Sequence, residues 1–332
     1  MILIACHDVG PAKYLAALFS ETSTNVSCIS SSLSRQIFAK DGIETIQIRE
    51  IEGIQEEVKL VITGTSLREL NQSIDKQLIK WALERNIPNI SIVEHWSWYR
   101  TRFETSSGML IPNYIILNDD VAMNDAIDDG LPKEILKSLG NPHLERLCSL
   151  NHTLKYSTDL REFYGLPKDK RIIVFVSEEL KSCFHFGSVN FLGYDEFQVL
   201  AEIKKILMPT DYLLIKMHPE ENPDKYSKVL GSQIGIILDC STAELAAIAD
   251  KVIGMASMLL LELALFRDDI ISFRPNNQKK FIGEHLGVII PINNAQKLFY
   301  IVNANFKSLN SLKNRFSGSR NRILKFISDC QL

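Results

Sequence analysis

Residues 214–219 read Leu-Ile-Lys-Met-His-Pro, with Glu220 and Glu221 next, so a histidine is locked against a proline where an apolar run ends. An imidazole changes charge near neutral pH, which suits it to holding an anion or passing a proton. A turn explains the same pair without a ligand, because Pro219 fixes its own φ and pushes His218 towards an extended backbone. Two other apolar runs in this half of the chain end in polar groups. Arg171–Val176 empties into Ser177-Glu178-Glu179, and Lys251–Gly254 runs into Met255-Ala256-Ser257 and then Glu262. A serine at a helix start, with the first-turn N–H groups, can bind a phosphate, and a glutamate about one and a half turns later can reach a ribose hydroxyl. A capping serine before a core helix with one exposed acid accounts for the same residues. Lys216 either adds positive charge beside His218 or is a solvated lysine at a strand end.

The first half offers two more stretches. Val93 is followed by Glu94-His95-Trp96-Ser97-Trp98-Tyr99-Arg100-Thr101-Arg102, an acid, a histidine, three aromatics and two arginines in close succession. Aromatic rings with guanidinium groups make a surface that stacks sugars and pairs anions. Cys6-His7-Asp8-Val9-Gly10-Pro11 joins an apolar run to a helix start. Asp8 can simply cap that turn, while Gly10 leaves room for a ligand to come close. Asn118-Asp119-Asp120 can cap a helix or hold hydroxyl groups, and Asp128-Asp129-Gly130 reads as a surface helix end. Asn141 and Arg146 lie near the strongest break in the chain, Gly140-Asn141-Pro142-His143.

Such residues need strands to position them, and the chain supplies an alternation of short apolar runs with helical periods, the mark of βαβ units and parallel sheets. Expected strands in the first half are Met1–Cys6, Asn25–Ser30, Glu44–Ile48, Lys59–Thr63, Ile90–Val93 and Tyr114–Leu117. Expected helices there are Gly10–Phe19, Ser34–Lys40, Glu69–Arg85, Asp120–Asp128 and Pro132–Leu139. A second alternation begins near Gly165 and closes with the strand Ile270–Phe273, followed by helices over Ala295–Phe306 and Leu309–Ser328. The boundaries expected are 1–142 for a first domain, 143–166 for a connection, 167–308 for a second domain and 309–332 for a terminal helix.

At 332 residues the chain suits two domains of about 150 each. Its 45% hydrophobic and 23% charged residues are those of a globular protein, and a net charge of −3 gives no reason to expect nucleic acid as a partner. No apolar run reaches the ~18 residues of a membrane span, and Met1-Ile-Leu-Ile lacks the basic start of a signal peptide. Six cysteines without CxxC spacing suggest reduced thiols, no zinc site and a cytoplasmic location.

The run from Cys240 to Phe266, preceded by Leu213-Leu214-Ile215-Lys216-Met217-His218-Pro219, resembles the C-terminal half of GT-B glycosyltransferases. It is most similar to bacterial His-Pro-motif enzymes, the sialyl- and polysialyltransferases and the capsule-polymer or polyol-phosphate transferases. Ala249-Asp250, Val252-Ile253-Gly254, Ser257 and Glu262 match the order of their donor-nucleotide site, whereas Arg267-Asp268-Asp269 departs from the usual Gly-Lys/Arg-Pro turn. The resemblance covers residues 170–275 and implies an α/β fold of two Rossmann-like domains facing across a cleft, with the terminal helix packing back on the first domain.

The resemblance also implies roles. His218 would contact and protonate the donor phosphate, Ser257 would bind phosphate, Glu262 the ribose, and Ser177 and Lys216 would complete the donor site. A base would come from the first domain: Glu94 fits the slot of an acidic pair followed by glycine, with His95 and Asp8 as alternatives. His7, Asp8, Gly10, Trp96, Arg100 and Arg102 would face the acceptor, with Trp96, Trp98 or Tyr99 as one wall and Arg100 or Arg102 as another. The expected activity is an inverting glycosyl transfer from a CMP- or UDP-sugar donor to a surface glycan or lipid-linked glycan, the latter bringing peripheral membrane association. No Asp-x-Asp signature stands where a diphosphate would sit, so neither a metal nor another cofactor is expected. The alternatives are a nucleotide-sugar 2-epimerase or hydrolase, whose Gly-Thr-Arg-Pro opening and Ser-Gly-Gly loop are absent, a polyol-phosphate transferase, and a non-catalytic nucleotide-binding protein.

Overall fold

The computed structural model describes residues 1–332 except 21, 23–25, 47–57, 151–156, 184–191, 219–220, 277–280, 305, 313 and 331–332. Asn25, Ile48, Pro219 and Glu220 therefore lie outside the described residues. The chain falls into two compact units, Met1–Arg146 with Arg315–Leu332, and Leu147–Asn314.

In the first unit the strands are β1 (Ile2–Cys6), β2 (Val26–Ser30), β3 (Thr45–Ile46), β4 (Leu60–Thr63), β5 (Asn89–Val93), the hairpin pair β6 (Glu104–Thr105) and β7 (Gly108–Met109), β8 (Tyr114–Leu117) and β9 (Leu136–Ser138). The helices are α1 (Val9–Phe19), α2 (Ser32–Lys40), α3 (Ile74–Glu84), α4 (Asp120–Asp128) and, at the boundary, α5 (Pro142–Leu150). Apart from the hairpin the strands form one sheet in the order β3-β2-β1-β4-β5-β8-β9. Every pairing in it is parallel. β1, β4 and β5 are buried at every residue, which a parallel sheet covered on both faces requires. This is the doubly wound order, reversing between β1 and β4, and ligands of such sheets bind at the carboxyl ends beside that reversal.

The second unit contains α6 (Ser157–Phe163), β10 (Arg171–Val176), α7 (Leu180–Cys183), α8 (Glu196–Ile206), β11 (Asp211–Lys216), β12 (Ile234–Ile237), α9 (Thr242–Ile248), β13 (Lys251–Gly254), α10 (Met258–Leu263), β14 (Ile270–Phe273), α11 (Ile282–His285), β15 (Ile290–Ile292) and α12 (Ala295–Asn303). Its sheet runs β12-β11-β10-β13-β14-β15, again parallel and reversing between β10 and β13. The last helix, α13 (Ser319–Cys330), returns to the first unit. Ile323 and Ile327 enter the core beside Leu15 and Leu18. The Glu145 carboxylate accepts the N–H groups of Gly318 and Arg320 at 2.6 and 2.8 Å, and Arg320 donates to the carbonyls of Leu18 and Ser20 at the end of α1.

Three expectations are corrected. Pro132–Leu139 is not a helix: after one short turn the chain extends into β9, which satisfies the open hydrogen-bonding edge of β8. Ile270–Phe273 does not close the second sheet, because β15 adds at its edge, where Pro291 is tolerated. The helix sought over Glu69–Arg85 breaks at Ser73, whose extended backbone lets its hydroxyl accept the Lys76 N–H and restart the helix. No helix among the described residues is long and apolar enough to cross a membrane.

Candidate functional site

The reversal of the first sheet gathers four chain segments. β1 delivers His7 and Asp8, β4 delivers Gly64-Thr65-Ser66, α3 brings Asp75 in its first turn, and β5 delivers Glu94 and His95. The His7 N–H donates to Asp75 Oδ1 at 3.2 Å, tying the end of β1 to α3. Gly10 is placed for a close approach, and the group that approaches is Glu94: a Cβ at Gly10 would lie 2.7 Å from Glu94 Oε1. Any larger residue at this helix start would displace the carboxylate. The other oxygen, Glu94 Oε2, is buried and has no hydrogen-bond partner among the described residues.

Side-chain amides fix the Glu94 main chain from behind. Asn118 Nδ2, beyond the end of β8, donates to the Glu94 carbonyl at 2.6 Å, and Asn118 Oδ1 accepts from Asn141 Nδ2 at 3.0 Å. Asn141 in turn caps α5 through the Leu144 N–H at 3.1 Å. This chain of amides crosses from β5 to β8 to α5, so the glutamate's backbone is set by buried hydrogen bonds on two neighbouring elements.

Burial shapes the charges here. It raises the Glu94 carboxyl above the usual carboxylate range, with Arg102 opposing the shift and Asp8 adding to it. Burial, Asp8 and Glu94 together push Asp75 up to about 8, against the hydrogen bond from His7, and its Oδ2 is a second buried oxygen without a partner among the described residues. His95 moves the other way, down to about 3, through burial first and the Arg102 cation second. A neutral imidazole with so little affinity for a proton is a poor base near pH 7, while a carboxylate raised by burial is a better one than usual. His95 Nδ1 shares a 2.8 Å hydrogen bond with Ser97 Oγ.

The aromatic and basic residues after Glu94 do not all serve this place. Trp96 is buried, donates from Nε1 to Asp119 Oδ1 at 3.0 Å and meets Phe316 edge-on, so it is core and not a wall for a sugar. Arg100 is exposed and paired with Glu104 at 2.9 Å, which removes it from the expected anion-binding face. Arg102 is buried, donating to the Ser97 carbonyl and to Thr65, and contributes its charge to Glu94 and His95 from within. Asp8 holds the N-cap position of α1 without making the capping bond, and its carboxylate lies 3.7 Å from Arg68. Arg146 pairs with Asp41 at 2.8 Å.

In the second unit the polar residues expected from the sequence follow adjacent strands, Ser177 directly after β10, His218 beyond β11 and Ser257 beyond β13. With β10 between them, the ends of β11 and β13 lie roughly 10 Å apart. His218 is exposed, and its backbone N–H donates to Glu221 Oε2 at 2.8 Å. Ser177, Lys216 and Glu262 are engaged inside the unit. Ser177 Oγ donates to Glu221 Oε1 at 2.6 Å and lies 2.5 Å from the Tyr226 hydroxyl. Lys216 is neither solvated nor at the surface: its ammonium donates to the Leu238 and Met217 carbonyls. Glu262 accepts the Thr242 hydroxyl at 2.6 Å.

Ser257 is the N-cap of α10, accepting the Leu259 N–H. The N–H groups just before this helix are taken by Glu178, which accepts from Ala256 at 2.7 Å and also from Ser257 and Met255. Burial raises Glu178 to about 7, against those N–H groups and the Arg274 cation. A phosphate on the same N–H groups has to displace this carboxylate.

Asp75 and Glu178 are the two residues that reading the sequence missed. Each looks ordinary there, an acid in the first turn of a helix and one of two glutamates after a strand. Ser73 two residues before Asp75 was the available signal for a helix start at this point.

Neither a family model nor a curated protein matches this chain. Solved structures do. UDP-GlcNAc 2-epimerase of Methanocaldococcus jannaschii, crystallised with UDP-GlcNAc and UDP, is 13% identical, with 99% of this chain and 100% of that one covered at a TM-score of 0.69. UDP-GlcNAc 2-epimerase of Neisseria meningitidis bound to UDP-GlcNAc is 13% identical, with 99% of each chain covered at a TM-score of 0.67. The glycotransferase of kitacinnamycin is 10% identical, with 100% of this chain and 99% of that one covered at a TM-score of 0.58. At such identities the likeness establishes the fold alone, an α/β architecture of parallel sheets of the GT-B type, and does not show the His-Pro transferase type.

Proposed function

We propose that this chain binds a nucleotide sugar and acts beside the anomeric carbon as a 2-epimerase or hydrolase, with Glu94 as the group that takes the proton. The observation that carries this is the seat of Glu94, buried at the carboxyl edge beside the sheet reversal, against Gly10, with Oε2 without a partner among the described residues. Inverting C2 by loss and return of its proton breaks the C2–H bond, the electron pair expelling the nucleotide from C1, and a carboxylate raised by burial takes that proton better than an ordinary one. The fold shared along the chain with the two 2-epimerases supports this reading over the glycosyl transfer expected from the sequence.

Glycosyl transfer is the second reading, favoured by the likeness to the kitacinnamycin glycotransferase and by the exposed His218 at a strand end. Glu94 would then take the proton of an acceptor hydroxyl, and His218 would meet the leaving phosphate. Incubating the chain with UDP-GlcNAc in D2O separates the two. Epimerisation or hydrolysis through C2 proton loss puts deuterium at C2 of the sugar without an added acceptor. Transfer releases UDP only when an acceptor is supplied and leaves C2 unlabelled. Neither label nor release, with UDP- and CMP-sugars alike, sinks both readings and leaves a non-catalytic binding protein.

A further inference from the structure

Two buried groups of opposite charge stand at the carboxyl edge of the first sheet without meeting. Arg102 is only 7% exposed. Its guanidinium makes long hydrogen bonds, from Nε to the Ser97 carbonyl at 3.3 Å and from Nη1 to the Thr65 carbonyl and hydroxyl at 3.3 and 3.4 Å. Thr65 and Ser97 follow the neighbouring strands β4 and β5, so the group is held between two strand ends. Its third nitrogen, Nη2, donates to nothing among the described residues and is not one of the unpartnered atoms shut off from water, so it opens outward. Glu94 lies near enough for the Arg102 charge to oppose the rise of its pKa, yet its Oε2 meets no donor. A buried cation without a counter-ion is costly. The other buried arginine, Arg274, is paired with Glu284. Buried Lys76 and Lys216 reach carbonyls at 2.8 and 2.7 Å, closer than any Arg102 contact.

We propose that Arg102 reads a carboxylate on the sugar, so that the substrate is a nucleotide-linked acidic sugar, a uronate, seated between the Nη2 edge and Glu94. The inference rests on the nucleotide-sugar reading above and narrows it. A guanidinium edge matches the planar, singly charged carboxylate in shape and in number of donors. Asp8 and Glu94 already bring negative charge to these strand ends, and a doubly charged phosphate monoester meets more of that repulsion than a carboxylate does. An anion on Arg102 also neutralises the cation that opposes the rise of Glu94, so the base strengthens when the acidic sugar is in place.

UDP-glucuronate and UDP-glucose differ only at C6, a carboxylate in one and a hydroxymethyl group in the other. Calorimetric titration of the full chain at pH 7 with each, and with UDP alone, tests the assignment. UDP-glucuronate should bind about 10- to 150-fold more tightly than UDP-glucose, the range of a hydrogen bond to a charged group. Arg102→Gln should bring that ratio to one or below with UDP affinity unchanged. Arg102→Lys keeps the charge without the fork and should retain part of the ratio. The ratio is taken within one variant, so a general loss of stability cancels, and the lysine variant decides alone if the glutamine variant does not fold. UDP binding with equal affinity for the two sugars, or a ratio unchanged by both substitutions, overturns the acidic sugar and leaves nucleotide-sugar binding in place. An equal loss for UDP and both sugars in Arg102→Gln would move the anion on Arg102 to the phosphoryl groups and overturn it as well. No binding of UDP or of either sugar overturns this inference together with the reading it rests on.

Discussion

Among single residues, the proposed chemistry rests on carboxyl groups whose protonation is set by burial. Glu94→Gln keeps size and shape while removing the proton acceptor, so turnover on a nucleotide sugar should fall by about 10²–10⁴-fold with nucleotide affinity nearly unchanged. His95→Ala should cost much less, because an imidazole held down to about 3 has little basicity to lose. Equal losses in the two variants would shift the base away from Glu94. Asp75 gives a separate test through stability. Its carboxyl moves from 3.8 up to about 8 on folding, so between those values the native state holds a proton that the unfolded chain has released. Stability therefore falls as pH rises through that window and levels off above it. Asp75→Asn keeps the oxygen that accepts the His7 N–H and removes the ionisation. Its melting temperature should match the parent near pH 4 and exceed it increasingly towards pH 8. Parallel pH profiles would mean that Asp75 does not titrate on folding. Glu94 was legible in the sequence because an apolar run emptied into it. Asp75 was not, since its effect arises only when α3 lays it against β1 and β4.

Between elements, what decides the site is which strand ends meet and what already fills them. The strand alternation could be read from periodicity, and so could the polar residues after β5, β10, β11 and β13. Their partners could not, because a hydrogen bond between Glu178 and the Met255–Ser257 backbone joins residues far apart in the chain. The same limit made Trp96 and Arg100 look like surface for a ligand when one is a core donor to Asp119 and the other a partner of Glu104. Edge strands β9 and β15 escaped notice for a related reason: three residues carry too little pattern, and pairing makes them strands. The amide chain from Asn141 through Asn118 to Glu94 gives the prediction at this scale. Asn118→Ala leaves a buried carbonyl and a buried amide without their partner, which costs about 1–3 kcal/mol each. Denaturant unfolding should show a loss in that range, and turnover should drop with kcat affected more than KM, since Glu94 loses the bond that fixes its backbone. A stability loss without any change in kcat would make Asn118 a structural residue only.

Across the whole chain, the first unit is built from its two ends, Met1–Arg146 and Arg315–Leu332. Terminal segments usually tolerate change, because few contacts hold them. This one is different. Phe316 is fully buried against Trp96, the Arg315 guanidinium donates to Asp119 Oδ2 at 3.0 Å, and Asp119 also receives Trp96 Nε1 and caps α4 through the Ala122 N–H. The C-terminal segment thus anchors the loop that follows Glu94. Phe316→Ala should destabilise the first unit by about 3–5 kcal/mol, the range for deleting a buried aromatic ring. The measurement can be confined to that unit, because all 3 tryptophans of the chain, Trp81, Trp96 and Trp98, lie within it. Tryptophan emission during denaturant unfolding therefore reports the first unit, and its midpoint should move sharply to lower denaturant in the variant. A shift worth less than about 1 kcal/mol would place Phe316 among the many surface substitutions that fall within a few tenths. The terminal segment would then be a loosely held strap, and the support it lends to the Glu94 loop would have to come from β5 and β8 alone.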